Sequence, residues 1–389
     1  MSRTNLHLFF SPIRNETRLL KEAKALRDLH VFDKVVVVGL WESGLPTSEC
    51  LGGFLEVVRA QTAIHLRRAK KGPAMSRWLS KVLAARSFLD YSWTALRQAR
   101  VSKPSHVSCH NLLLLPVAWF AALICRAKLV YVPHELEVER TGLVGFLKKA
   151  SAIVERLFIG SCDRVVVVCD PIADWYRERY ELSNVHVVRS IPEFGRSTET
   201  SEDRLVRREA AALPLSERVF IYQGVLSRER GVDELIAVFE GRRSRRDHLM
   251  LMGYGEAIPR IIAASKRSPN IHFKAAVPVQ QIVDNSALAD IGIFCIDGPL
   301  TLSYQYSLPN KFFEYLFAGL PVVVSPNLLL LSKIVEENDL GWVIPVAGLP
   351  ALLDSLTDED ILRRRGCVER FVRANTWESE RLVYRAVYA

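Results

Sequence analysis

Short runs of β-branched and aliphatic residues alternate with helical periodicity along most of the chain. In the first half the strand-like runs are Leu6–Phe10, Lys34–Val38, His106–Cys109, Leu129–Val132, Arg164–Val168 and Val185–Val188. The run VVVV occurs twice, at 35–38 and 165–168, with no polar alternation. Strands of that kind are buried on both faces, as in a parallel sheet with helices on each side. The pattern breaks near Arg189, and Pro192–Glu217 is polar and charged, with Gly195 and Pro214. A second alternating series follows at Val219–Tyr222, His248–Met252, Asn270–Phe273, Ile291–Cys295, Pro321–Val324 and Trp342–Ile344. The end reads as helix, with Trp377, Leu382 and Tyr384 as packing residues. The spacing therefore predicts an α/β protein of two doubly wound, Rossmann-like domains. Their expected bounds are 1–190 and 218–370, joined by a linker over 191–217. A final helix over 371–389 is expected to pack back toward the first domain.

Composition agrees with two cores: the chain has 389 residues, 49% hydrophobic and 24% charged, too many for one ordinary domain. Its seven cysteines are odd in number, scattered and without a C-x-x-C pair. That argues against a disulfide framework or a zinc cage and suits a reducing, cytoplasmic compartment. The first apolar run, about five residues, is expected to be a strand rather than a signal peptide. Leu112–Cys125 is interrupted by Pro116 and closed by Arg126, too short to span a bilayer and expected to be a buried helix.

The net charge of +9 is unevenly spread. Residues 67–103 hold ten Lys or Arg and one acid, Asp90. Apolar residues recur there at Trp78, Leu79, Val82, Leu83, Leu89, Trp93 and Leu96 at helical spacing. A basic, aromatic-bearing amphipathic stretch suits an anionic membrane surface; the alternative is a solvated helix whose apolar side packs on its own domain. No nucleic-acid motif accompanies the charge, so no nucleic-acid partner is expected.

In open α/β sheets, ligands bind beyond the carboxyl ends of the strands, at helix N-termini. Four such edges carry suitable residues. Ser303–Gly319, SYQYSLPNKFFEYLFAG, reads as a helix opened by Pro309 and closed by Gly319. Lys311 falls in its first turn, a poor place for a cation unless an anion lies nearby. Glu314 lies a turn further on, where it could accept from ribose hydroxyls. At 249–256, LMLMGYGE ends an apolar strand in Gly253-x-Gly255, where glycines let a ligand approach the backbone or simply make a turn. At 219–235, VFIYQGVLSRERGVDEL runs through Gly224 to Arg228 and Arg230, charges suited to phosphate or to solvent. At 129–139, LVYVPHELEVE ends a strand at His134. No D-x-D follows an apolar strand, since Asp358, Glu359 and Asp360 cluster in the C-terminal helical region, and no H-E-x-x-H, P-loop, G-x-S-x-G or full G-x-G-x-x-G occurs, so no metal and no cofactor are expected.

Together these segments resemble glycosyltransferase family 4, of the GT-B fold, which includes many bacterial polysaccharide enzymes. SLPNKFFEYLFAGLPVVVS is similar to the family's donor-site signature and is the most specific match. YQGVLSRERGVDELI, MGYGE, NETRLLKEAKAL, CHNLLLLPVAWFAAL and AKLVYVPHELE resemble further segments in family order. The resemblance implies two domains facing a cleft and a retaining, metal-independent transfer from a nucleotide-sugar to a glycan acceptor. It implies catalytic roles for His134, Arg230, Lys311 and Glu314. Donor contacts are implied for Gly224, Gly253, Gly255, Tyr306, Ser307, Leu308, Pro309 and Asn310. Tyr306 stands where the family has the first of two glutamates, and Arg230 where it has a lysine. The family's glycine-rich acceptor loop after the first strand is replaced by Pro12–Thr17. With the basic stretch, the resemblance implies a lipid-linked or oligosaccharide acceptor in bacterial surface polysaccharide synthesis. The protein is expected to sit peripherally on the inner face of the cell membrane. Alternatives on the same fold are a nucleotide-sugar epimerase and a non-catalytic sugar-nucleotide-binding protein.

Overall fold

The computed structural model describes residues 3–14, 16–64, 77–193, 201–242 and 246–389. The chain forms two compact units: Met1–Arg189 with Arg381–Ala389, and Ser190–Glu380.

The first unit is built on an eight-stranded sheet. Its strands are β1 Thr4–Leu8, β2 Lys34–Leu40, β3 Ser48–Leu51, β4 Leu55–Ala60, β5 His106–Cys109, β6 Lys128–Tyr131, β7 Arg164–Val167 and β8 Val185–Val187. Their order is β3-β4-β2-β1-β5-β6-β7-β8, and only β3 runs antiparallel, against β4. The helices are α1 Thr17–Asp28, α2 Arg77–Ser102, α3 Leu115–Cys125, α4 Gly145–Ile159 and α5 Asp170–Tyr180. Val35 and Val37 of β2, Leu55 and Val57 of β4, and Leu19 and Ala23 of α1 form one buried cluster with Ile13. Both VVVV runs are buried throughout, as their unbroken hydrophobicity requires.

The second unit has six parallel strands: β9 Arg218–Val225, β10 Asp247–Tyr254, β11 Ile271–Ala275, β12 Ile291–Phe294, β13 Val322–Val324 and β14 Gly341–Val343. Their order, β11-β10-β9-β12-β13-β14, reverses between β9 and β12, the topological switch point of a doubly wound sheet. The helices are α6 Ser201–Ala210, α7 Val232–Glu240, α8 Ile258–Arg267, α9 Ile282–Ser286, α10 Leu302–Gln305, α11 Asn310–Phe317, α12 Leu329–Glu337, α13 Leu349–Ser355, α14 Asp358–Ala374 and α15 Trp377–Arg381; α16 Val383–Val387 belongs to the first unit. Among the described residues no helix is long and apolar enough to cross a membrane.

Three elements differ from the sequence reading. The pair β3 and β4 was not foreseen, because SECL is half polar and LEVVRA is interrupted by Glu56 and Arg59, so neither run is continuously apolar. The stretch 191–217, expected as a linker, lies within the second unit and holds α6. The helix is tied down there: Arg204 donates to the carbonyls of Ala287 and Ala289, and Arg208 to that of Leu288. Residues 194–200 of that stretch lie outside the described residues. The single helix expected over 371–389 is instead the end of α14 followed by α15 and α16.

Candidate functional site

In the second unit β9 and β12 pair only at Phe220–Ile291 and Ile221–Gly292; beyond that their carboxyl ends are bridged by a side chain. The phenol of Tyr315, on α11, accepts from the Gln223 amide at 2.8 Å and donates to the Ile293 carbonyl at 3.4 Å. Gly292 makes this possible, since a Cβ there would lie 2.5 Å from the Tyr315 ring. Tyr315 thereby sets α11 over the switch point, with Phe312, Phe313, Leu316 and Phe317 buried beneath it.

The mouth of this crevice holds most of the residues that the motif pointed to. Pro309 is the N-cap of α11, one position earlier than expected, and no side chain caps the helix. Lys311 reaches back over the sheet. Its ammonium lies 4.1 Å from the centre of the Tyr222 ring and 4.7 Å from that of Phe294. It would be 3.5 Å from a Cβ on Gly224, whose φ is +114°. That ammonium is buried and has no hydrogen-bond partner. Burial and, to a lesser extent, the charge of Arg230 lower its pKa to about 7 against the opposing charge of Glu314. A desolvated cation beside a second cation is unfavourable on its own. An anion such as a diphosphate would resolve the conflict.

Arg230 donates to the Tyr304 hydroxyl at 2.7 Å, which orients its guanidinium. Glu314 accepts from the Gln223 amide nitrogen at 2.5 Å, and the Gln223 carbonyl oxygen accepts from Ser286 at 2.6 Å. Tyr306 ends α10 and donates its backbone N–H to Leu302. Leu308 is buried, and the buried Ser307 hydroxyl has no partner. Asn310 opens α11. Gly253 and Gly255 have a closer reason than ligand approach: a Cβ on Gly253 would fall 1.9 Å from the Gly224 carbonyl oxygen, and one on Gly255 2.3 Å from that of Leu226. The glycines thus let β10 and its turn lie against β9. Gln223, Tyr222, Tyr304, Phe294 and Tyr315 were missed as site residues. The only signal for them was adjacency to the motif, since apolar strand residues and aromatic residues read as core.

The first unit has its own reversal between β1 and β5, and there stands a row of three histidines. His7 Nδ1 lies 2.8 Å from His110 Nε2, and His110 Nδ1 lies 3.2 Å from His134 Nε2. The rings stack, with interplanar angles of 19° and 12°. Burial lowers His7 and His134 to about 3 and His110 well below its ordinary value, so all three are neutral. Each ring then carries one proton, and a continuous row requires the same nitrogen, all δ or all ε, to carry it. The tautomer of His134 is thus linked to those of His110 and His7. Arg18 donates to the His134 carbonyl at 3.2 Å. The buried Glu22 accepts from the Tyr388 hydroxyl at 2.7 Å, and burial raises its pKa to about 7. Among the described residues His7, Glu22 and His110 are the trio whose ligand atoms lie within 4.8 Å of one another, as a metal would need. His7 Nδ1 and His110 Nε2 face each other and Glu22 accepts from Tyr388, while His7 Nε2 is buried without a hydrogen-bond partner among the described residues.

The loop after β1 is held by Arg59 of β4, a residue that the sequence did not single out. Its buried guanidinium donates to the carbonyls of Pro12, Ile13 and Pro46 at 2.7, 3.0 and 3.0 Å and pairs with Glu49. Ile13 takes a left-handed φ of 53° there.

Residues 16–190 match the profile of the glycosyl transferase 4-like domain and residues 217–358 that of the glycosyl transferases group 1. No curated protein matches the chain significantly. Among solved structures the chain is similar to sucrose-phosphate synthase from Thermosynechococcus elongatus, at 14% identity and a TM-score of 0.72, covering 99% of this chain and 98% of that one. It is similar to WaaG, a glycosyltransferase involved in lipopolysaccharide biosynthesis, at 14% and 0.69, covering 98% of each. HepE from Anabaena, solved with UDP and glucose, gives 13% and 0.69, covering 99% and 98%. At these identities the likeness is one of fold.

Proposed function

The chain belongs to the GT-B glycosyltransferases, a glycosyl transferase 4-like domain followed by a group 1 domain, and on that premise we propose that the mouth of the β9–β12 crevice binds the diphosphate of a nucleotide-sugar. The observation that carries this is the buried, unpartnered Lys311 ammonium beside Gly224 and the uncapped start of α11. A nucleoside diphosphate gains negative charge as the sugar–oxygen bond breaks. Lys311, Arg230 and the first N–H groups of α11 are placed to stabilise that charge without reorganising. Glu314, steadied by Gln223, accepts from the ribose, and Tyr306, Ser307, Leu308, Pro309 and Asn310 shape the turn around the donor. The solved complexes of HepE with UDP and UDP-glucose favour a uridine donor. His134, with its tautomer fixed by His110 and its main chain held by Arg18, orients the transferred sugar or its acceptor.

In this reading transfer proceeds with retention, as the family resemblance implies. The acceptor is a glycan, lipid-linked, and the protein works peripherally at the inner face of the cell membrane in bacterial surface polysaccharide synthesis. The involvement of WaaG in lipopolysaccharide biosynthesis supports that role.

The test is transfer from radiolabelled nucleotide-sugars with Lys311→Ala and Glu314→Gln. Loss of one contact to the departing diphosphate should cost on the order of 2–4 kcal/mol of transition-state stabilisation. Each variant should therefore be slowed by roughly 30- to 1,000-fold while keeping the wild-type melting temperature. Near-wild-type rates in both would remove the donor site from this crevice.

A further inference from the structure

The first unit carries an apolar surface that its own packing leaves uncovered, on the three neighbouring helices α2, α3 and α4. Helix α2 turns Ser87, Tyr91, Ala95 and Ala99 inward at a four-residue spacing, and the Tyr91 hydroxyl donates to the Val38 carbonyl at 2.7 Å. Its other side exposes Trp78, Val82, Leu89 and Trp93, the two tryptophans at 73% and 70%. Of the apolar stripe read from the sequence, these four point outward, while Leu79, Leu83 and Leu96 are half-buried. Residues 67–76 of that basic stretch lie outside the described residues.

The sequence did not foresee that α3 and α4 continue this surface. Helix α3, expected to be buried, exposes Phe120 and Leu123, and Leu113 just before it. Helix α4 exposes Phe146 at 82%, with Leu147, Ile153 and Leu157 following along one side. Between the helices runs a groove of ≈ 580 Å³, lined among others by Phe88, Leu112, Pro116, Leu147 and Val154. A face this large and apolar marks an interaction site rather than chance exposure.

Charge identifies the partner. Lys81, Arg86, Arg97, Arg100, Lys149 and Arg156 on α2 and α4 are exposed, and among the described residues none of them pairs with an acid. The few acids nearby are already engaged. Asp90 accepts from the Ala63 amide, Glu155 is buried under Tyr131, Tyr176 and Tyr180, and Glu139 pairs with Lys148 at 2.6 Å. Arg140 holds Glu135 and Glu137. A second copy of the chain would bring these six cations against six more, whereas an anionic bilayer offers negative headgroups above an apolar interior. We propose that α2, α3 and α4 together dock the protein on an anionic lipid bilayer, with the groove receiving an acyl chain. This surface is separate from the donor site and would bring the first unit to a lipid-borne acceptor.

The experiment is flotation of the full-length protein with vesicles of phosphatidylglycerol and phosphatidylcholine, or of phosphatidylcholine alone. The protein should float with the anionic vesicles only, and less so at high salt. Each cation near such a surface is worth roughly fivefold in partitioning. Reversing Arg97, Arg100, Lys149 and Arg156 to Glu should thus weaken binding about a hundredfold or more. The pair Phe146→Asp and Leu157→Asp, confined to α4, should also weaken it, a result the α2 stripe alone does not predict. Should those variants misfold, brominated acyl chains quenching the tryptophan fluorescence of the wild-type protein give the same answer. No flotation with anionic vesicles at low salt, no quenching, or self-association through this face in sedimentation would overturn the proposal. The donor reading is tested apart: the surface variants should bind UDP normally, and Lys311→Ala should float like the wild type.

Discussion

A lysine near the start of a helix is unremarkable until its surroundings are known. The Lys311 ammonium is buried against two aromatic rings and repelled by Arg230, which brings its pKa down to about 7. In folding, a base with a depressed pKa costs stability where it must be charged, so this residue opposes stability below its folded value and ceases to do so as the pH rises. A bound diphosphate reverses the balance, because it raises the pKa and draws a proton in. Affinity for UDP should be highest below about pH 7 and fall up to tenfold per pH unit above it. Titration calorimetry between about pH 6 and 9 measures this directly. Lys311→Met should bind weakly with a flat profile, and a flat profile in the wild type would refute the link. Lys311 and Glu314 were legible from the SLPNKFFE segment because both stand in one helical turn. Gln223 and Tyr315, which hold that turn in place, were not, because a strand glutamine and a buried tyrosine look like any others.

At the scale of elements, one carboxylate holds the second unit's entry and exit segments to the sheet. Asp290 pairs with Arg204 and Arg208 of α6 at 2.6 Å each and with Arg365 of α14 at 2.9 Å, and it accepts from the Val219 amide of β9. Burial alone would raise its pKa, but the three arginines and this hydrogen bond hold it at about 2. A depressed carboxylate stabilises the fold fully above its unfolded pKa, 3.8, and the contribution is lost as the pH falls through about 2. Asp290→Asn should lower the stability of the second unit by about 3 kcal/mol at neutral pH, because three clustered arginines lose their counter-charge. Urea unfolding should show that gap narrowing between the two pKa values. A gap that is negligible at neutral pH, or that does not shrink in acid, would show that Asp290 does not act through its charge. The polar run TETSEDR reads as a linker because its helix makes no apolar pattern; arginines rather than hydrophobic residues attach it.

At the scale of the whole chain, the units are joined by two crossings, since Arg381–Ala389 return to the first unit. Tyr388 anchors the return, buried between Glu22 and Ser108. The two units differ in charge: the second holds the cations Lys311 and Arg230 at its switch point, the first a row of neutral imidazoles. At the proposed donor site the Glu314 carboxylate is engaged by Gln223. Transfer should accordingly persist in excess EDTA, as cationic side chains take the place of a metal at the leaving group. Activity that disappears with the chelator and returns with magnesium or manganese would show that an ion is needed. The trio His7, Glu22 and His110 would then be the first place to substitute.

Periodicity and composition were enough to place twelve of the fourteen strands to within a few residues, to divide the chain near residue 190 and to indicate two doubly wound sheets. They sufficed because a strand buried on both faces must be continuously apolar, and that mark is local. The two exceptions are the edge strand β3 and its neighbour β4, whose runs are broken by Ser48, Glu49, Glu56 and Arg59, so the mark is diluted by polar and charged residues. Packing alone decided the rest. The His7–His110–His134 row joins residues 103 and 24 positions apart, and Arg59 reaches its loop across 46. The side of α2 that faces water depended on which four small or aromatic residues fit the sheet, not on the apolar stripe itself. The exposed faces of α3 and α4 were hidden for the same reason: hydrophobicity says that a residue seeks cover, but only the tertiary structure says whether the rest of the chain supplies it.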